Sequence, residues 1–238
     1  MVKPILVLAG GFGSRLKPLV SDVPKPLAPV CGKPFLIHLF ENLYSSGARE
    51  FIFLLHYEAD AIKEILSDMT NINDLHDVKV TSLVEDMPLG TGGSIMNAIN
   101  VLNIDESFMV INADTWLGSG FKQLSLTAPN TIAAVHVEDC SRYGALVLTD
   151  GKIERFLEKK SSIGSGLINA GLYHLSPDIF NQVLDDTIFS LEADIFPSIV
   201  NMGMLSAIKI NTNFIDIGVP EDYLRFCRWI ESGKKIEL

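Results

Sequence analysis

Three glycines, an arginine and a lysine held between prolines open the chain in an order that suits phosphate binding. Gly10, Gly11 and Gly13 follow the apolar run Ile5 to Ala9, and Arg15 stands just beyond them. A strand that delivers glycines into a loop lets backbone N–H groups approach an anion closely, because no Cβ intervenes. Arg15 adds a forked donor, and Lys25 adds a point charge between Pro24 and Pro26, whose fixed φ angles limit the movement of that backbone. Two familiar phosphate fingerprints do not fit. A GxGxxG pattern begun at Gly11 meets Leu16 where glycine is required, and begun at Gly10 it already fails at Phe12; a P-loop begun at Gly10 meets Arg15 instead of glycine and lysine. Either piece alone reads equally well as a glycine turn or as a surface lysine in a proline-rich loop.

Two aspartates supply the complementary chemistry. Asp114 follows the apolar segment Phe108 to Asn112, and Asp216 lies 102 residues further on, before Ile217 and Gly218. The C-terminal ends of parallel strands gather ligands in open α/β sheets, and magnesium takes one or two protein carboxylates beside substrate phosphates and water. Turn formation or helix capping is the alternative for each aspartate. Glu85 precedes a glycine-rich stretch, Leu89 to Gly93; its carboxylate could accept hydrogen bonds from a purine edge or cap the helix beginning near Thr91. Ser190 reads as a helix N-cap.

These groups need elements to hold them. The chain has 238 residues, 47% apolar and 20% charged, enough for a sizeable core in one globular domain, 1–238. A formal charge of −10 argues against nucleic acid and anionic membranes as partners, so an anionic ligand must be held by local groups. No apolar run approaches the roughly 20 residues of a membrane span, and the start lacks a secretory h-region, so a cytoplasmic protein is expected. The three cysteines are widely spaced, which points to buried or half-buried thiols. Apolar runs at Ile5 to Ala9, Phe51 to Leu55, Val78 to Val84 and Phe108 to Ile111 alternate with helical patterns, one bracketed by Pro34 and Gly47, another carrying Ile62, Ile65, Leu66 and Met69. From Thr131 onward strands joined by turns predominate, with Asp150 and Gly151 as a hairpin tip. Pro220 opens a last helix whose apolar face is expected to carry Tyr223, Leu224, Cys227 and Ile230. The fold class expected is α/β, with a mixed, mostly parallel central sheet flanked by helices.

The motifs taken together resemble a known family. "LAGGFGSRLKPL" followed by "VPKPLAPV" is similar to the signature of the sugar-1-phosphate nucleotidyltransferases, and "EDMPLGTGGS", "INADT", "RFLEKK", "LINAGLYHL" and "FIDIGVPEDY" resemble its later motifs in order. Ser14 stands for the usual threonine, Ala113 for a glycine and Lys160 for a proline. The resemblance implies a Rossmann-like nucleotidyltransferase fold and transfer of a nucleotidyl group from a nucleoside triphosphate to a sugar 1-phosphate, with Mg²⁺ as cofactor. It places Arg15 on the triphosphate and Lys25 between the α-phosphate and the incoming sugar phosphate. Gly10, Gly11, Gly13, Ser14, Glu85, Gly90 and Thr91 become nucleotide-binding, with Gly90 admitting the base. Asn112, Gly144, Glu158, Lys159 and Asn169 become sugar-phosphate-binding, and Asp114 and Asp216 become metal ligands. Within the family, "DVPKPLAPVCGKPFL", "SRYG" and "EKK" look like D-glycero-α-D-manno-heptose 1-phosphate guanylyltransferases, implying GTP and a heptose 1-phosphate. Uridylyltransferases of amino-sugar and muramic acid 1-phosphates resemble the same opening, and a noncatalytic nucleotide-sugar sensor is the reading from another class. The chain ends eighteen residues after Pro220, so no appended hexapeptide-repeat domain is expected. A homo-oligomer is compatible with this reading.

Overall fold

The computed structural model describes residues 3–13, 16, 18–20, 23–72, 77–157, 164–182 and 187–233. The chain divides into two compact units and passes between them four times: residues 1–87, 112–119 and 213–238 form the first, residues 88–111 and 120–212 the second.

The first unit is built on three parallel strands, β1 (Ile5–Leu8), β4 (Glu50–Leu55) and β5 (Lys79–Val84), with Ile5 opposite Phe51 and Glu50 opposite Lys79. The near-continuous apolar runs of β1 and β4 suit strands covered on both faces, and Ile5, Leu6, Phe51 and Phe53 are buried. The buried strand expected at Val78 to Val84 is not found: β5 ends the strand order, carries Lys79, Thr81 and Ser82, and has no buried residue, because an edge strand has a neighbour on one side only. Pro34 leads into α1 (Phe35–Ser45), and Gly47 leaves it in the left-handed region at φ 103°. In α2 (Ala59–Ile72), Ile62, Leu66 and Met69 face the core as their spacing requires. Between Lys25 and α1 lies a short hairpin, β2 (Pro29–Val30) and β3 (Lys33–Pro34), turning through Cys31 and Gly32. Cys31 is therefore exposed, against the expectation of a buried or half-buried thiol, because the tip of a two-residue turn stands at the surface, where its thiol meets the Cys227 carbonyl at 3.7 Å.

The last helix, α6 (Pro220–Glu231), begins at its proline, but its apolar face differs from the expected one. Tyr223 and Phe226 are buried, whereas Leu224 is 47% exposed. Phe226 sets the rotation: its ring lies 5.1 Å from Phe35 and 5.7 Å from Trp116. The Tyr223 hydroxyl donates to the Pro29 carbonyl. Trp116 belongs to β7 (Thr115–Leu117), which pairs antiparallel with β13 (Phe214–Asp216).

The second unit contains β6 (Phe108–Asn112, its last residue counted with the first unit), β8 (Thr131–Val137), β9 (Ala145–Thr149), β10 (Lys152–Leu157), β11 (Gly166–Leu175) and β12 (Ser206–Lys209), in the order β6-β11-β8-β12-β10-β9. The β8–β12 pairing is parallel, and the others are antiparallel. Parallel pairing thus predominates in the first unit only. The cause is local connectivity: β9 and β10 join through Asp150 (φ 51°) and Gly151 (φ 79°), a turn that matches strand twist and forces an antiparallel hairpin. Three helices belong here, α3 (Gly90–Leu102), α4 (Phe121–Ser125) and α5 (Phe196–Asn201). A π-helical turn, Leu191–Ile195, leads into α5, with Ser190 capping it through the Ala193 N–H as expected. No helix among the described residues is long and apolar enough to cross a membrane.

Candidate active site

The first unit gathers its chemistry around Lys25. The residue opens a 3₁₀ turn, Lys25–Leu27, that is locked by Leu27 N–H to Pro24 C=O at 2.8 Å and Ala28 N–H to Lys25 C=O at 3.1 Å. The side chain is only 10% exposed, so its charge requires partners. Its ammonium donates to Asp114 Oδ2 and lies 3.8 Å from Asp216 Oδ1. The ribbon of β7 and β13 is what brings these carboxylates together: its register sets Asp216 opposite Thr115, and Ile217 N–H donates to the Asp114 carbonyl at 3.0 Å. Gly218 N–H then donates to Asp216 Oδ1 at 2.7 Å and fixes the carboxylate. A Cβ at Gly218 would stand 2.7 Å from that oxygen and 3.0 Å from Lys25 Nζ, so only glycine admits this approach.

A pocket of about 240 Å³ opens beside the triad, lined by Gly11, Gly13, Lys25, Ala113, Asp114 and Gly218 among others. The opening glycines have different reasons to be glycine. Gly13 has φ 58°, and a Cβ there would lie 2.6 Å from Lys25 Cβ, so this glycine seats the loop against the lysine. Gly11 has nothing within 4 Å of its Cβ position; its bareness serves open space in the pocket. At the end of β6, Asn112 Oδ1 is buried with no hydrogen-bond partner among the described residues. Such an acceptor costs roughly 1–3 kcal/mol unless a ligand donor satisfies it. Glu85 is buried at the end of β5, and its carbonyl accepts from His56 Nδ1 at 3.0 Å.

One ammonium facing two carboxylates leaves an excess negative charge, and two converging carboxylates without sulfur or imidazole fit a hard divalent cation. Among the described residues no group of three or more His, Cys, Asp or Glu gathers.

The second unit carries the other expected residues. Gly90 is in the left-handed region at φ 74°, but the space of its missing side chain is taken by the Phe189 carbonyl, 2.5 Å from a Cβ there. Gly90 is glycine at least for the protein's own backbone. The N–H groups of Gly92 and Gly93 donate to that same carbonyl at 3.0 and 3.2 Å. The Thr91 hydroxyl donates to Glu192 Oε2 and accepts from Leu191 N–H, both at 2.8 Å. The start of α3 is thus spoken for internally. Gly144 accepts the Asn169 N–H at 3.3 Å and has only Leu157 O, at 3.7 Å, near its Cβ position. Ser14, Arg15, Glu158 and Lys159 lie outside the described residues. The sequence reading passed over Gly218 and Glu192; the "DIG" step after the second strand of a carboxylate pair signals the first, whereas nothing local marks the second.

Comparison with known proteins fits this geometry. Residues 4–232 match the family model described as nucleotidyl transferase. Mannose-1-phosphate guanyltransferase of Schizosaccharomyces pombe is 33% identical over 97% of this chain, which spans 65% of that protein. D-glycero-alpha-D-manno-heptose 1-phosphate guanylyltransferase of Campylobacter jejuni is 35% identical over 93% of this chain and 97% of its own. The crystal structure of HddC from Yersinia pseudotuberculosis complexed with GMP-PN superposes with a TM-score of 0.81 at 36% identity, covering 96% of this chain and all of that one. A Bacillus anthracis structure described as a putative glucose-1-phosphate thymidylyltransferase, at 19% identity and a TM-score of 0.80, shares the α/β fold. With a lysine bracketed by two ribbon-borne aspartates beside a glycine loop, and with a family match over residues 4–232, the chain belongs to the nucleotidyl transferase family.

Proposed function

We propose that the protein joins a nucleoside triphosphate and a sugar 1-phosphate to give a nucleoside diphosphate sugar and pyrophosphate. The observation that carries this is the convergence of Lys25 with Asp114 and Asp216 beside the pocket of Gly11 and Gly13. In the reaction a phosphate oxygen of the sugar attacks the α-phosphorus, the new P–O bond forms in line, and the bond to the pyrophosphate oxygen breaks. No covalent protein nucleophile is needed, and negative charge crowds around one centre. Lys25 neutralises that charge between the two phosphates, as a compact ammonium can. Arg15 grips the triphosphate, with Ser14, Gly10, Gly11 and Gly13 around it, and Glu85 with the Thr91 loop sits at the base. Asn112, Gly144, Glu158, Lys159 and Asn169 hold the sugar phosphate. Asp114 and Asp216 hold Mg²⁺, which supplies Lewis-acid screening of the phosphate oxygens when bound.

The substrates are GTP and a D-glycero-α-D-manno-heptose 1-phosphate. The heptose 1-phosphate guanylyltransferase named above supports this, since its length is almost wholly covered. Mannose 1-phosphate is the second reading, favoured by relatives named for it at 33–34% identity, of which this chain spans 62–65%. Pyrophosphate release is measured with four nucleoside triphosphates against heptose, mannose, glucose and N-acetylmuramate 1-phosphates, with products identified by mass. GTP with the heptose phosphate is expected to lead. A tenfold preference in kcat/KM for mannose 1-phosphate selects the second reading, and a tenfold preference for UTP or another sugar overturns both.

A further inference from the structure

We infer that Glu192 is a positioning residue that, by keeping the Tyr173 oxygen an acceptor, holds the amide nitrogen of Asn169 in place, and so tunes recognition of a sugar hydroxyl. This rests on the transferase reading above, in which Asn169 touches the sugar. Glu192 stands on the π-helical turn Leu191–Ile195, a departure from α-geometry that re-aims a side chain. Its carboxylate is the meeting point of three hydroxyls. Oε2 accepts from Thr91 Oγ1 at 2.8 Å and Ser190 Oγ at 3.2 Å, and Oε1 accepts from Tyr173 OH at 3.3 Å.

The direction of each bond follows from the donors available. The Thr91 and Ser190 oxygens already accept backbone N–H groups, from Leu191 and Ala193, so their protons are free to go to the carboxylate. Tyr173, its ring buried against Phe196, accepts from Asn169 Nδ2 at 3.0 Å and passes its own proton to Glu192. Gly171 N–H donates to Asn169 Oδ1 at 3.0 Å and holds the oxygen end of the amide, while Tyr173 and Glu192 hold the nitrogen end. An ionised carboxylate can only accept, so the chain Asn169, Tyr173, Glu192 has one polarity. Asn169, half-exposed, retains one N–H and one oxygen lone pair without a partner among the described residues. A donor beside an acceptor is the complement of a sugar hydroxyl, which is itself both.

Glu192→Gln keeps the shape but introduces an NH₂ that can donate to Tyr173 OH, reversing the chain and opposing the Asn169 N–H. The test measures KM for each substrate and kcat in Glu192→Gln, Tyr173→Phe and the double variant, with circular dichroism melts to confirm folding. Glu192→Gln is expected to raise KM for the sugar 1-phosphate by about tenfold, leaving kcat and the triphosphate KM within about threefold, because Thr91 still holds Leu191 N–H. Tyr173→Phe should do the same, and the double variant should be no worse than the worse single. An unchanged sugar KM in Glu192→Gln, an equal rise for both substrates, or additive losses in the double variant would overturn the assignment. Absence of turnover by the wild-type chain with every triphosphate and sugar phosphate strikes at the transferase reading itself and removes this inference with it.

Discussion

At the scale of single residues, the two aspartates carry the sharpest expectation. Replacing Asp114 or Asp216 by Ala should lower kcat by roughly 10²-fold or more, the size of effect seen when an electrostatic stabiliser is lost. The fold should survive, since both side chains are partly exposed and the ribbon pairing uses backbone groups. Turnover close to wild type in saturating magnesium, for both variants, rejects their role. Tyr223 gives a second test with a defined sign. Burial pushes its hydroxyl up to about 12, and the protonated form is the one that donates to the Pro29 carbonyl. A pKa raised in the folded state means the contribution is complete below about pH 10 and is lost as pH rises toward 12. Tyr223→Phe should therefore cost about 1 kcal/mol in urea unfolding at pH 8, and the gap to wild type should close at pH 11. A gap that stays constant across that range excludes the hydrogen bond as its source.

At the scale of elements, the packing of α3 on the segment before the π turn can be probed at Gly93. A Cβ there would lie 2.4 Å from the Thr187 carbonyl oxygen, a backbone atom that cannot swing aside as a side chain can. Gly93→Ala is expected to cost about 1–3 kcal/mol, as overpacking does, against the small gain that Ala normally brings to a helix interior. Equilibrium denaturation checks this, and a stabilised variant would mean that the segment yields freely. The same packing takes up the Gly92 and Gly93 N–H groups, which already end on Phe189.

At the scale of the whole molecule, the proposed reaction asks a chain of formal charge −10 to take up a strongly anionic nucleotide. A net charge of that sign gives no long-range attraction, so on the proposed reading binding rests on Lys25, Arg15 and a cation that Asp114 and Asp216 would hold. A magnesium–triphosphate complex at about 100 times its Kd should stabilise the protein by about 2.7 kcal/mol. Excess EDTA should erase most of that gain. A thermal shift by the triphosphate that is indifferent to EDTA would detach nucleotide binding from the two carboxylates.

What the sequence determined by itself is what local physics encodes. The buried strands at Ile5, Phe51 and Phe108 show as apolar runs, the Asp150–Gly151 hairpin as turn chemistry, and the ends of α1 as Pro34 and Gly47. Lys25, Asp114 and Asp216 were legible as candidates because motif order and residue type speak to phosphate and metal chemistry. The tertiary structure decided what depends on contacts between distant segments. The rotation of α6 follows Phe226 into the aromatic cluster of Phe35 and Trp116, not the spacing of Leu224 and Cys227. Gly90 proved to answer to the Phe189 carbonyl, almost a hundred positions away. Glu192 became visible only once folding set Thr91, Tyr173 and Asn169 around it. A side chain's partners across the chain have no periodicity to read. They exist as geometry alone, and hydrogen bonds of 3 Å reach are settled by the last step of packing.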